Sequence, residues 1–307
     1  MKHDARRAFL GELIDDAGLF PPARLAMREA LAARDRALAS DAFWTVGRFV
    51  VPGSRLAELA SEVDAPVPLA IAVVVDTPEP AAAFAGFAQS ARAGAELIAL
   101  EALEVPLARF DGDDDDQRLA AFERACSAAR FDERPALYAE LALDGDVAAQ
   151  LDALHRARVR GFDVAAKVRC GGLGAAAVPA PAALAHFLWS ANRLEVPFKA
   201  TAGLHHPVRR LDASLGANVH GFLNVIGGAV LARARGLDLR TLEGLLADED
   251  SSHFLLDEDG FAWSGIGADA GEIGEARARS VHSYGSCSLS EPIDDLRMLE
   301  ILPATAA

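Results

Sequence analysis

The sequence predicts a (β/α)8 barrel of the TIM type with a C-terminal appendage, and three observations point there. Short apolar runs alternate with amphipathic runs at roughly 30-residue spacing, the pattern of repeated βα units. Eight such apolar runs precede residue 237. The chain has 307 residues, 51% of them hydrophobic, enough to bury the core of one barrel. An open doubly wound α/β sheet is the alternative, because the first run is weakly apolar and the eighth has helical character.

The first strand is read in "ELIDDAGLF" (12–20), followed by a helix over 22–39. "WTVGRFVVP" (44–52) is the second, with Ser54 as cap of the next helix. "VPLAIAVVVD" (67–76) is a buried β-branched run, and Thr77 and Pro78 then open a helix by N-cap and first-turn proline chemistry. "AELIALE" (95–101) is the fourth strand, and a helix over 117–129 follows an acidic loop. "ALYAELAL" (136–143) and "FDVAAKVR" (162–169) are the fifth and sixth, followed by helices over 146–159 and 181–192. "VPFKATAG" (196–203) is the seventh, with a short helix through "PVRRLDASLG". "NVHGFLNVI" (218–226) is read as the eighth, running into "GGAVLARARG". The barrel is therefore assigned to residues 1–236. Residues 237–307 are assigned to an appendage packed on it, with a helix, a hairpin "FLLDEDGFAW" turning at Asp-Gly, and two more helical stretches.

A formal net charge of −15 disfavours nucleic acid and anionic membrane as partners, since both select basic surfaces. No apolar run reaches membrane-spanning length and the start lacks a signal-type apolar core, so the expected location is cytoplasmic. Cys126, Cys170 and Cys287 are scattered without CxxC spacing and suggest neither a disulfide frame nor a zinc knuckle. Nothing in the sequence sets an oligomeric state. A small-molecule substrate is the expected partner.

Of 30 basic residues only Lys2, Lys167 and Lys199 are lysine, and the last two lie inside strand-like runs. Active sites of barrels sit at the carboxyl ends of the strands. The expected ends carry Asp15 and Asp16, Arg48, Asp76, Glu101, Glu140, Lys167 with Arg169, Lys199 with Thr201, and His220 with Asn224. Alternation puts the paired residues of strands six and seven on one face each. Inward lysines would converge near Glu101 and Glu140. A buried lysine can be deprotonated and attack a carbonyl, which arginine cannot do. A buried ion pair with a barrel carboxylate would leave the same letters.

The run "KATAGLH" from Lys199, with "KVRCGG" from Lys167, resembles class I aldolases of the deoxyribose-phosphate aldolase type. Lys199, Ala200, Gly203 and Leu204 fit that family's strand-7 run. Ala202 and His205 depart from it, and "KVRCGG" replaces its K-T-S-T-G. The resemblance implies Lys167 as the Schiff-base amine and Lys199 as the neighbour that lowers its pKa. Glu101 would be the proton shuttle on strand four. The longer pattern, "LIDDAGLFPPA", "KVRCGG", "FKATAGLHHP", "HGFLN" and "GSCSLSEP", is similar to that of an uncharacterised bacterial family, which implies kinship without an activity.

The leading expectation is thus a cofactor-free carbon–carbon lyase acting on a small carbonyl compound bearing a phosphate or carboxylate. Lys167, Lys199, Glu101 and Glu140 would be catalytic, with Arg169, Thr201, His205, His220 and Asn224 as substrate ligands. A second reading is a metal-dependent hydrolase or isomerase with a divalent metal on Glu101, Glu140, His206 and His220, although no HExxH or HxH spacing supports it. A third is a non-catalytic barrel that binds a small anion or a partner. The glycines of "GGLGAA" (171–176) do not open a helix as a dinucleotide fold requires, and suit a loop beside a ligand. "DGDDDD" (111–116) lacks the twelfth-position Glu of a calcium loop and reads as a solvated acidic loop. "GSCSLSEP" (285–292) reads as a loop over the barrel leading into a helix at Pro292, with Cys287 a weak nucleophile candidate.

Overall fold

The computed structural model describes residues 4–64 and 67–304; Lys2 lies outside the described residues. The strands are β1 (Ile14–Asp16), β2 (Val46–Pro52), β3 (Leu69–Val74), β4 (Ile98–Pro106), β5 (Ala136–Glu140), β6 (Val164–Arg169) and β7 (Phe198–Thr201), then β8 (Arg210–Asp212), β9 (Ala217–Val219), β10 (Phe254–Leu256), β11 (Gly260–Trp263), β12 (Ile266–Asp269) and β13 (Val281–Ser286). A closed barrel runs β1-β13-β7-β6-β5-β4-β3-β2, and its neighbours are parallel throughout. The helices are α1 (Ala5–Leu10), α2 (Met27–Leu38), α3 (Leu56–Glu62), α4 (Pro80–Ala93), α5 (Asp115–Ala129), α6 (Val147–Val159), α7 (Pro181–Arg193), α8 (Phe222–Arg235), α9 (Leu239–Ala247), α10 (Ala270–Arg279) and α11 (Ser290–Met298). The closed barrel excludes the open doubly wound sheet.

The eighth strand is not where the apolar pattern puts it. Residues 218–226 split into the end of β9, which pairs with β8 as a small hairpin, and the first turn of α8. The segment expected as a short helix through 207–216 holds β8 instead. The α8 residues from Phe222 to Ala232 are buried on every side, among α7, α9, α10 and β13. A helix buried all round has no polar stripe, so periodicity cannot separate it from a buried strand.

Barrel closure falls to β13, so the boundary at 236/237 is corrected: the C-terminal segment supplies a barrel strand. Its sequence, VHSYGS, is too polar to stand out as a core strand. The reason is its inward side, where Ser283 donates a 2.7 Å hydrogen bond to the buried carboxylate of Asp15. The hairpin at 254–263 is present and gains a third strand, β12.

The barrel interior is chemically divided. Val50, Ala72, Ala102, Tyr138 and Ala165 form an apolar layer, with Ala17, Phe20 and Val74 packed against it. Charged side chains from β1, β4, β5, β6 and β7 fill the remainder. The main core lies between barrel and helices, in the usual barrel manner. No helix among the described residues is long and apolar enough to cross a membrane.

Candidate active site

Parallel register places Glu140 beside Lys167 and Lys167 beside Lys199. Inward-facing side chains at one level of adjacent strands must meet, and these do. Lys167 Nζ lies 2.8 Å from Glu140 Oε2 and 2.8 Å from Glu104 Oε2. Lys199 Nζ pairs with the other oxygen of Glu104, and lies 2.6 Å from Asp15 Oδ2. The result is one alternating ladder: Asp15, Lys199, Glu104, Lys167, Glu140. The two lysines therefore do share a site.

Glu104 replaces Glu101 as the carboxylate at the lysines, through a β-bulge. Leu100 pairs with Ile71 and Ala102 with the next residue, Ala72, leaving Glu101 as the extra residue. Before the bulge, Ile98 and Leu100 face the helices; after it, Ala102 faces the interior while Leu103 and Val105 face the helices. One extra residue exchanges the two faces of a strand. Unbroken alternation from Ile98 would put Glu101 inside and Glu104 outside; the bulge does the reverse. Glu101 is exposed and pairs with Arg48 Nε at 2.9 Å.

Asp15 is fully buried and its carboxylate is saturated. Oδ2 accepts from Lys199 and Ser283, and Oδ1 accepts the Arg48 backbone N–H at 2.7 Å. Gly47 leaves room for this: a Cβ there would lie 2.4 Å from Asp15 Oδ1. Asp16, on the opposite face of β1, takes a bond from the Gly18 N–H on one oxygen, while its buried Oδ2 has no hydrogen-bond partner among the described residues. Burial pushes this carboxyl up to about 6.

The electrostatics favour charge on the three central rungs, Lys199, Glu104 and Lys167. Burial alone would raise Glu104, but the two ammonium groups hold it down at about 2. Burial likewise works against charge on Lys167 and Lys199, yet their carboxylate partners outweigh it and both are raised. The resting lysines are cations. Exposure separates them: the Lys167 side chain is 4% exposed beside a Glu140 that is 20% exposed, whereas Lys199 and Glu104 are each 1% exposed. Lys167 is the ammonium nearer solvent, at the carboxyl ends of the strands.

Arg169 and Thr201 end β6 and β7 in register, Arg169 exposed and Thr201 half-buried, so both remain at the mouth. The other expected ligands are engaged elsewhere. Buried His220 bonds to the Pro179 carbonyl oxygen through Nε2 at 2.7 Å, and burial pushes its pKa down to about 4. Buried Asn224 accepts from the Arg209 N–H and donates to the carbonyls of Leu245 and Asp248, tying α8 to the end of α9. His206 Nδ1 lies 2.6 Å from Asp295 Oδ2. Of the metal alternative, Glu101 pairs with Arg48 and Glu140 with Lys167, and the described residues hold no group of three His, Cys, Asp or Glu side chains placed to share a metal ion. His205 meets Glu291 and Cys287, a contact between segments 82 residues apart that no local spacing announces.

The opposite, N-terminal end of the barrel holds a cavity of about 310 Å3, lined by residues including Tyr138, Arg158 and His282. The Tyr138 hydroxyl meets His282 Nδ1 there at 2.9 Å. The lysine ladder, at the end where barrel chemistry resides, is the better candidate. Comparison with protein-family models and with curated proteins finds no match to this chain.

Proposed function

We propose that the chain is a carbon–carbon lyase of the aldolase kind, acting on a small carbonyl compound through a Schiff base on Lys167. The observation that carries this reading is Glu104, a buried acid from β4 that bridges the lysines of β6 and β7. The resemblance to deoxyribose-phosphate aldolases implies an acid on strand four as proton shuttle; Glu104 takes the strand-four place first given to Glu101, and in this reading the proton moves through Glu140.

In this reading Lys167 passes a proton to Glu140, the solvent-facing carboxylate 2.8 Å away, as a carbonyl carbon approaches. The free amine adds to that carbon. Glu140 returns the proton to the resulting hydroxyl, which leaves as water and gives an iminium. Glu104 stabilises that cation, and Lys199 holds Glu104 ionised. Glu140, a carboxylate again, then takes the proton of the β-hydroxyl as the bond between the α and β carbons breaks, and the electron pair enters the iminium to give an enamine. Protonation and hydrolysis release the second fragment. Arg169 at the mouth would hold a phosphate or carboxylate on the substrate.

The test is borohydride trapping of the full chain with small aldehydes and keto acids, read by peptide mass spectrometry. A reduced adduct on Lys167, absent from Lys167→Arg, is expected. No adduct, or one unaffected by that variant, overturns the proposal. The raised, doubly paired lysines favour a second reading, a non-catalytic barrel that takes a small anion at Arg169. That reading predicts no trapping with any carbonyl and retention of anion binding in Lys167→Arg.

A further inference from the structure

The cavity at the N-terminal end of the barrel is lined by groups that the lysine ladder does not use. Its volume of about 310 Å3 is that of a pocket for a small molecule. Leu137 and Pro197 give it an apolar wall, and Arg158, Arg233 and Arg279 bring guanidinium groups to it. Arg158 Nη1 lies 2.5 Å from Asp163 Oδ1, and Arg233 is shared between Glu195 and Glu275. Arg279 has no ion-pair partner among the described residues. Next to His282, Arg277 gives its guanidinium to the backbone carbonyls of Phe9, Gly11, Val281 and His282, and it too pairs with no carboxylate among the described residues. Two cations at this end of the barrel are therefore unpaired, in a chain whose formal charge is −15. Asp163 and Glu195 are exposed, so exchanging either for the anion of a ligand costs little.

The cavity also offers a directed donor. The Tyr138 hydroxyl and His282 Nδ1 are 2.9 Å apart. Burial pushes the phenol up to about 12 and the imidazole down to about 4, with Arg277, Arg48 and Arg158 adding to the second effect. Both groups are therefore neutral at pH 7. The hydroxyl has no other acceptor among the described residues, so it donates to Nδ1 and the ring proton sits on Nε2. That N–H has no acceptor among the described residues, on a half-buried side chain that lines the cavity. An oxygen of a ligand would complete it.

We propose that this cavity is a ligand site for a small organic anion, with its carboxylate or phosphate on Arg279 and Arg158 and a hydroxyl or carbonyl oxygen accepting from His282 Nε2. The planar guanidinium groups select an oxyanion. The apolar wall takes the carbon stem. The site lies at the other end of the barrel from Arg169 and does not rest on the lyase reading.

The chain has only two tyrosines, which makes the test local. Tyr284 is buried and stacked on Phe222, away from the cavity. The experiment is a titration of the full chain, isotope-labelled in its tyrosine rings, followed by NMR. The probes are glycerol 3-phosphate and glycerate, with uncharged glycerol as the control. Either anion is expected to move the Tyr138 signal saturably at millimolar concentration and to leave Tyr284 in place, and glycerol to move neither. A response to one anion alone supports the site and fixes which oxyanion it takes. Arg279→Gln, at an exposed position, should weaken binding about tenfold through loss of a charge-assisted hydrogen bond. Arg169→Ala should leave the titration unchanged. No Tyr138 response to either anion, an equal response to glycerol, or an affinity unchanged in Arg279→Gln overturns the site. Loss of the response in Arg169→Ala overturns it as well, by moving the anion to the opposite end of the barrel.

Discussion

At the scale of single residues the site is held by groups that tolerate no exchange and by one that destabilises the fold. Gly47 belongs to the first kind. Gly47→Ala would put a Cβ 2.4 Å from Asp15 Oδ1 and 2.9 Å from the Glu12 carbonyl oxygen. Displacing that carboxylate should cost about 2–4 kcal/mol in denaturant unfolding, the range for overpacking that also disturbs a buried pair. Asp16 is the opposite case. Its folded-state pKa is raised by burial to about 6. The folded form therefore binds its proton more tightly than the unfolded chain does. Stability from this group is complete below the unfolded value of 3.8 and is lost as pH rises through about 6. Asp16→Asn should stabilise the protein at pH 7.5 by about 2 kcal/mol, and the gain should vanish by about pH 4. Thermal melts of both proteins across that range check the sign.

At the scale of elements, the bulge in β4 decides which acid meets the lysines. Glu101 and Glu104 are both glutamates on one strand, yet their substitutions should behave differently. Glu101→Gln removes an exposed pair with Arg48 and should cost under about 1 kcal/mol, leaving Lys167 trapping intact. Glu104→Gln leaves two buried ammonium groups each short of a carboxylate. It should cost about 3–5 kcal/mol and abolish trapping. The two lysines were legible in the sequence because lysine is rare in this chain and both fall in apolar runs. Glu104 was not, because a bulge is defined by the neighbouring strand and leaves no local signature. The Cys287–His205 contact was hidden for a similar reason: its two halves are joined by barrel closure.

At the scale of the whole molecule, β13 makes the chain one unit. A chain ending at residue 236 lacks the strand between β1 and β7, along with Ser283 and the α9, α10 and β13 partners of α8. It should show no cooperative unfolding transition by calorimetry, whereas the full chain should. Acid should unfold the full chain in two stages. Burial holds His220 and His282 down at about 4 in the folded state. The unfolded chain binds those protons first, so stability falls as pH drops from about 6.5 to 4, by on the order of 2 kcal/mol per histidine. Glu104, held at about 2, contributes stability above its unfolded value of 4.5 that is lost as pH falls toward 2. His282→Gln should remove about half of the first stage, the His220 share remaining, and leave the second.

Local patterning along the chain specifies the βα alternation, the barrel class, seven of its strands, and the placing of Lys167, Lys199 and Glu140 toward one interior. Those features are written in short-range periodicity, which needs only the neighbouring residues of the same segment. Tertiary structure decided that VHSYGS closes the barrel, that Glu104 bridges the lysines, and that His205 faces Cys287. Each of these depends on register and closure between segments far apart in the chain. There a polar strand is admitted because its partners are charged, and one extra residue exchanges the inside of a strand for the outside.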